Sequence, residues 1–99
     1  MAASPAGADR ITELRGTELC VYKAQLSVAG FHYFRKGTPR AEVPIRWHGD
    51  ETQYEIEFIT RTLDEAYATA EEDRREHPDK PSSEQAFGDR IYNQCVAGN

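Results

Sequence analysis

The sequence contains no long apolar run and no signal-peptide pattern. None of its apolar stretches approaches the ~20 residues that span a membrane. Residues 1–10 have neither the basic start nor the apolar centre of a secretory signal. These absences predict a small soluble protein in the cytoplasm with no membrane partner. We expect residues 1–10, rich in Ala, Gly and Pro, to be a disordered tail ahead of one domain at 11–99.

Catalytic and metal-binding motifs are also missing. The seven glycines form neither a phosphate-binding loop nor a nucleophile elbow. The three histidines and two cysteines lack the short spacings of structural zinc ligands. Glu55 and Glu57 resemble paired catalytic carboxylates only in spacing, and such a pair needs a cleft. The sequence therefore predicts a protein that is not an enzyme and has no catalytic residues, cofactor or metal.

Cysteine is scarce: Cys20 and Cys95 are the only two. For a cytoplasmic protein we expect two reduced, partly buried thiols. A disulfide between the ends of the domain is the alternative that the sequence leaves open.

Alternating apolar residues are abundant and indicate strands. Leu19–Val28 places Cys20 and every second residue after it on one face, as a half-buried strand does. Residues 31–36, 42–47 and 53–60 are interpreted as further strands. The strand at 42–47 is placed at an edge because it contains Pro44. The predicted fold class is α+β, an antiparallel β-meander of three to four strands packed by one or two C-terminal helices.

Helical signals appear in the second half of the chain. Thr62 and Glu65 have the spacing of a capping box, followed by a helix from Leu63 to about His77. Residues 83–97 favour a second helix, with a short strand over 90–96 as the competitor. The apolar stripe expected to face the core consists of Tyr54, Ile56, Phe58, Leu63, Tyr67 and Ala70.

The charge is unevenly distributed. Residues 1–49 carry +3 and residues 50–99 carry −8. A dense negative face attracts a basic protein surface and speeds association. We therefore predict a protein-binding module, an inhibitor or adaptor that docks on a basic partner such as a nuclease or another defence-system component. Phage-encoded inhibitors and immunity proteins have this size and charge. The predicted contacts are Glu55, Glu57, Asp64, Glu65, Glu71, Glu72, Asp73 and Glu76, with Trp47 as an aromatic anchor.

A basic and aromatic stretch supports an alternative. Rings interleaved with cations are typical of platforms that stack single-stranded nucleic acid. The candidate residues for a small RNA- or DNA-binding domain are Phe31, Tyr33, Arg35, Lys36, Arg40, Arg46 and Trp47. Self-association through the oppositely charged halves is a third hypothesis.

Overall fold

Three α-helices build the part of the chain that the computed structural model describes, residue 11 and residues 14–98. Helix α1 is Thr17–Arg35, α2 is Gln53–Glu76 and α3 is Glu84–Ala97. A single 3₁₀ turn, Arg40–Glu42, lies between α1 and α2. Helix α1 packs against both of the others and is the centre of the fold. The predicted tail at residues 1–10 lies outside the described residues.

The predicted β-meander is wrong, because the described residues contain no strand. The segments interpreted as strands at 19–28 and 31–36 are successive turns of α1 together with the residue that ends it. The segment at 53–60 is the first part of α2. The segment at 42–47 forms no ladder and belongs to the connection between α1 and α2. The fold class is all-α.

Helix α1 forms because its buried residues recur at helical spacing. Cys20, Ala24, Ser27 and Phe31 lie at i, i+4, i+7 and i+11, and all four are buried. No proline interrupts these 19 residues. After Lys36 the chain turns at Gly37, which has a positive φ of 84° that favours glycine.

Helix α2 begins at a capping box ten residues before the predicted one. The Thr52 hydroxyl accepts from the Glu55 amide at 3.1 Å, and the Glu55 carboxylate accepts from the Thr52 amide at 2.9 Å. Both groups satisfy amides that a helix start leaves unpaired. The helix ends at Glu76, with His77 as its C-cap ahead of Pro78. The predicted helix at 63–77 is therefore the second half of a longer one.

The prediction of a helix at 83–97 is confirmed by α3. Ser83 is its N-cap, and its hydroxyl accepts from the Ala86 amide at 3.1 Å. Phe87 and Ile91, four residues apart, are its buried residues.

The core lies where the three helices meet. The Phe31 ring stacks on the Phe87 ring, with centroids 4.2 Å apart and planes inclined by 6°. Alanines at 24, 66 and 70 and Ile91 complete the buried cluster. Of the predicted apolar stripe, Phe58, Leu63 and Ala70 are buried, whereas Tyr54 and Ile56 are exposed. The helical period, rather than alternation, decides which side chains enter the core.

A glycine brings α1 close to α2. A Cβ on Gly30 would lie 3.2 Å from both the Ala66 Cβ and the Leu63 Cδ2. These contacts are tighter than ordinary van der Waals separation, so the interface is fitted to a residue without a side chain.

A disulfide joins the start of α1 to the end of α3. Cys20 and Cys95 are bonded, with their Cα atoms 5.6 Å apart. The prediction of two reduced thiols is therefore wrong, and the disulfide alternative is what the structure contains. The two ends of the domain are held together across a chain separation of 75 residues.

Candidate binding surfaces

The exposed side of α2 carries six of the acidic residues predicted to bind a partner. Five are exposed, and Glu71 is partly buried. We call these six the acidic face: Glu57, Asp64, Glu65, Glu71, Glu72 and Glu76. From the first to the last the helix rises about 28 Å. One rigid helix therefore displays this charge along its length.

Four members of the acidic face form ion pairs with side chains of the same molecule. The pairs are Lys23–Glu65 at 3.7 Å, Arg40–Asp64 at 2.6 Å, Arg90–Glu72 at 3.4 Å and Arg74–Glu71. Within the described residues, Glu57 and Glu76 form no ion pair, although Glu57 accepts a hydrogen bond from Gln53 at 2.9 Å. Surface pairs contribute about 0–1 kcal/mol, so a partner's cations can replace them at small cost.

Glu55 does not belong to the acidic face. Its side chain is only 2% exposed and belongs to the capping box. In a helix, residues two positions apart point about 200° away from each other. Glu57 therefore faces solvent while Glu55 is buried, and the two do not form a carboxylate pair.

Asp73 is also buried and fixes the connection between α2 and α3. It is 2% exposed, and its carboxylate accepts from the Ser82 hydroxyl at 2.7 Å and the Ser82 amide at 3.0 Å. Burial acts to raise the pKa of Asp73, but the two hydrogen bonds from Ser82, together with the nearby charges of His77 and Arg90, outweigh burial. The pKa of Asp73 therefore lies below the ordinary value of an aspartate.

This lowered pKa predicts an acid-sensitive contribution to stability. Because the folded state favours the ionised form, the contribution is complete above about pH 4, the unfolded value, and is lost as the pH falls through the folded value. We expect wild type to exceed Asp73→Asn in free energy of unfolding at neutral pH, and the gap to shrink at about pH 3. Urea unfolding of both proteins at the two pH values measures this. A gap that stays constant or widens in acid would contradict the assignment.

Trp47 lies in the segment between the 3₁₀ turn and α2 and is 42% exposed. Tyr54, in the first turn of α2, is 49% exposed. Both rings are therefore accessible, and in the sequence both lie in or shortly before the first turn of α2. Large aromatic side chains of this kind are frequent anchors in protein interfaces.

The basic and aromatic residues do not form an open stacking platform. Phe31 is 1% exposed, so its ring is unavailable to a base. The Arg35 guanidinium lies over the Phe31 ring at 5.6 Å, and the Lys36 ammonium lies over the Tyr33 ring at 5.8 Å. The cations of this stretch thus already contact its rings.

The remaining members of that set are dispersed. Arg40 donates to the Thr60 carbonyl at 3.1 Å and pairs with Asp64. Arg46 and Trp47 are exposed on the connecting segment rather than on α1. The seven residues predicted to bind nucleic acid therefore do not form one surface.

An apolar groove between α1 and α3 was not anticipated from the sequence. Its volume is about 430 Å³, and those lining residues that the structure describes all belong to these two helices. Val21 and Val28 contribute from α1, and Gly88 and Tyr92 contribute from α3. Val21 and Val28 are seven residues apart on α1, and Gly88 and Tyr92 are four residues apart on α3, so each pair lies on one side of its helix. This spacing would have indicated the groove if α1 had been interpreted as a helix.

The described part of the chain offers no metal site. No cluster of three His, Cys, Asp or Glu side chains able to hold a metal occurs there. Cys95 is bonded to Cys20 and is therefore not a free thiol nucleophile.

None of the helices in the described residues is both long and apolar enough to cross a membrane.

A scan of protein-family models and searches of curated proteins and of solved structures found no match to this chain. Inference about function therefore rests on the surfaces described above.

Proposed function

We propose that this protein is a non-enzymatic binding module that docks the acidic face of α2 on a basic protein surface. The observation that carries the proposal is the display of six acidic side chains along about 28 Å of one helix. Helical spacing places the exposed Arg61 and Arg75 on the same side of α2, so the face is mixed in charge with an excess of acidic residues. Such an excess raises the rate of encounter with an oppositely charged surface. An inhibitor or adaptor of a nuclease, whose nucleic-acid groove is basic, is the kind of role that this arrangement suits.

Exposed aromatic residues support the same proposal. Charges on the rim of an interface mainly govern association rate, whereas buried aromatic anchors supply much of the affinity. Trp47 and Tyr54 lie close in the chain to the first turns of α2 and are accessible. They are the proposed anchors beside the acidic face.

The proposal is tested by reversing charge on and off the acidic face. Glu57→Lys with Glu76→Lys changes two face residues that form no ion pair within the described residues. Glu42→Lys with Asp79→Lys is the matched control, since both positions are exposed, lie outside the face and change the net charge equally. We expect wild type and the control to capture the same basic protein from source cells, and the face variant to capture much less, as measured by quantitative mass spectrometry.

Two results would overturn this proposal. One is a set of captured proteins that is the same for all three forms. The other is equal loss of the partner with the face variant and the control, which would mean that net charge matters and the acidic face does not.

Self-association through opposite charges is a weaker explanation of the charge asymmetry. Lys23 and Arg40, from the basic half, already pair with Glu65 and Asp64 of α2 within one molecule. Sedimentation at low and high salt distinguishes the two hypotheses. A monomer at both salt concentrations would exclude self-association and leave docking on another protein as the explanation.

The cytoplasmic location remains a prediction, and one observation opposes it. Disulfides persist mainly in oxidising compartments. Locating the protein by cell fractionation, with its thiols blocked at lysis, would determine both the compartment and the redox state of Cys20 and Cys95.

A further inference from the structure

The groove between α1 and α3 has the shape of a helix-binding site. Its α1 side runs from Val21 to Val28, and its α3 side runs from Glu84 to Tyr92. Seven residues of helix rise about 10 Å, so the groove accommodates about two turns of a partner helix. Val21, which lines the groove, is 43% exposed.

Close helix packing forms the floor of the groove. A Cβ on Gly88 would lie 2.8 Å from the Val28 Cγ2, so α3 approaches α1 at this point as only glycine allows. The groove is also wide open to solvent. A small ligand would keep much of its surface in water there, whereas small-molecule sites bury most of their ligand. A longer apolar segment matches the open shape better.

The rim of the groove is acidic. Glu84 and Asp89 line it, and none of the side chains that the structure describes there is Lys or Arg. Lys23 pairs with Glu65 and Arg90 with Glu72, away from the groove, whereas the rim residue Glu84 lies 3.0 Å from Nδ1 of His32 on α1. An apolar floor with an acidic rim complements an amphipathic helix that carries Lys or Arg beside its apolar stripe.

A second copy of this chain is a poor occupant of the groove. An isologous dimer through the groove would bring the same acidic rim against itself. The chain also has a net charge of −5, which adds to the repulsion.

We propose that the α1–α3 groove binds a basic amphipathic helix of a partner protein. Apolar residues of that helix, at i, i+3, i+4 and i+7, occupy the floor between Val21, Val28 and Tyr92. Its flanking cations pair with Asp89 and compete with His32 for Glu84. The proposal does not rest on the acidic face of α2, because no residue of α2 lines the groove.

The test titrates the full chain with a synthetic peptide of about 18 residues, with Leu at helical spacing and Lys at the other positions. Isolated helices of this length are marginal in water, so binding in the groove should raise the peptide's helicity. Amide NMR shifts should move for Val21, Gly88 and Tyr92. A Leu/Glu peptide with the same pattern should bind at least about tenfold more weakly because its charges meet an acidic rim.

Variants assign the binding to the groove. Val21→Glu should weaken Leu/Lys peptide binding at least about tenfold, because it places a charge against the apolar stripe. Asp89→Lys should weaken it at low salt. Ile56→Glu is the matched control, since Ile56 is a similarly exposed apolar residue on α2. This variant should bind the Leu/Lys peptide as wild type does. Unchanged helicity by circular dichroism shows that each variant is folded.

Each of the following results would overturn the proposal. One is that Leu/Lys and Leu/Glu peptides bind equally, or that neither binds. Another is that the amide NMR shifts map to the acidic face of α2, or that Val21→Glu and Ile56→Glu bind the Leu/Lys peptide with equal affinity. A third is a dimer in sedimentation whose interface is the groove. Shifts confined to α2 would support the docking function while excluding this site, so the two proposals fail separately.

Discussion

Breaking the bond between Cys20 and Cys95 will lower the free energy of unfolding by about 4 kcal/mol. The bond closes a loop across a separation of 75 residues, and a crosslink of that span strongly restricts the unfolded chain. It also ties the first turn of α1 to the last turns of α3, so its loss removes the restraint on both ends of the domain. For a domain of this size the change shifts the melting temperature by tens of degrees.

Two forms of the protein separate the crosslink from side-chain packing. Urea unfolding of wild type with and without reductant measures the crosslink alone. The Cys20→Ala, Cys95→Ala double variant adds the small cavity left by Cys20, which is 1% exposed. Reductant should have no effect on the double variant. A change below about 1 kcal/mol on reduction of wild type would contradict the expected role of the bond.

Replacing Phe31 by alanine will cost a comparable amount, about 4 kcal/mol. The ring is 1% exposed and stacks on Phe87 at the meeting point of the three helices. Truncation removes the largest buried side chain of α1 and leaves a cavity that the surrounding helices fill only in part. It also removes the ring beneath the Arg35 guanidinium.

Tyr54→Ala is the matched control for Phe31→Ala. It removes a ring from a helix at a position that is 49% exposed, so we expect it to change stability by about 1 kcal/mol or less. Urea unfolding at neutral pH measures both variants. Equal losses for the two variants would mean that Phe31 is not the core residue that the stacked geometry makes it.

The sequence pattern of α1 shows why a helix was interpreted as a strand. Cys20, Tyr22, Ala24, Leu26 and Val28 alternate, but the residues that are buried are Cys20, Ala24, Ser27 and Phe31. One of these is polar and another is alanine, so the helical stripe is weak in hydrophobicity. Alternation through residue 28 therefore gave the stronger pattern, and tertiary packing overrode it.

The start of α2 was missed for a related reason. Thr52 and Glu55 form the capping box, but Glu55 also fits the polar face of an alternating segment. The buried side of α2 includes three polar residues, Glu55, Thr62 and Asp73, beside its apolar ones. Polar residues that are buried through specific hydrogen bonds carry no hydrophobic signal, so the sequence alone does not place them in the interior.

Other features could be predicted from the sequence. The second half of α2 and the whole of α3 were predicted from helical spacing, although the capping box predicted at Thr62 and Glu65 lies inside α2. Six of the eight acidic residues predicted to bind a partner lie on an accessible side of one helix, although their role in binding stays a prediction. The disulfide and the α1–α3 groove depend on which helices meet, and no local pattern in 99 residues determines that.

The association rate constant with the captured basic partner tests the central claim most directly. Stopped-flow measurements would compare three proteins at about 20 mM and 300 mM salt. They are wild type, the face variant that combines Glu57→Lys with Glu76→Lys, and the control that combines Glu42→Lys with Asp79→Lys. We predict that the face variant associates about tenfold more slowly than wild type and the control at low salt, and that the difference largely disappears at high salt. Equal rates for the face variant and the control at low salt would contradict docking through the acidic face of α2.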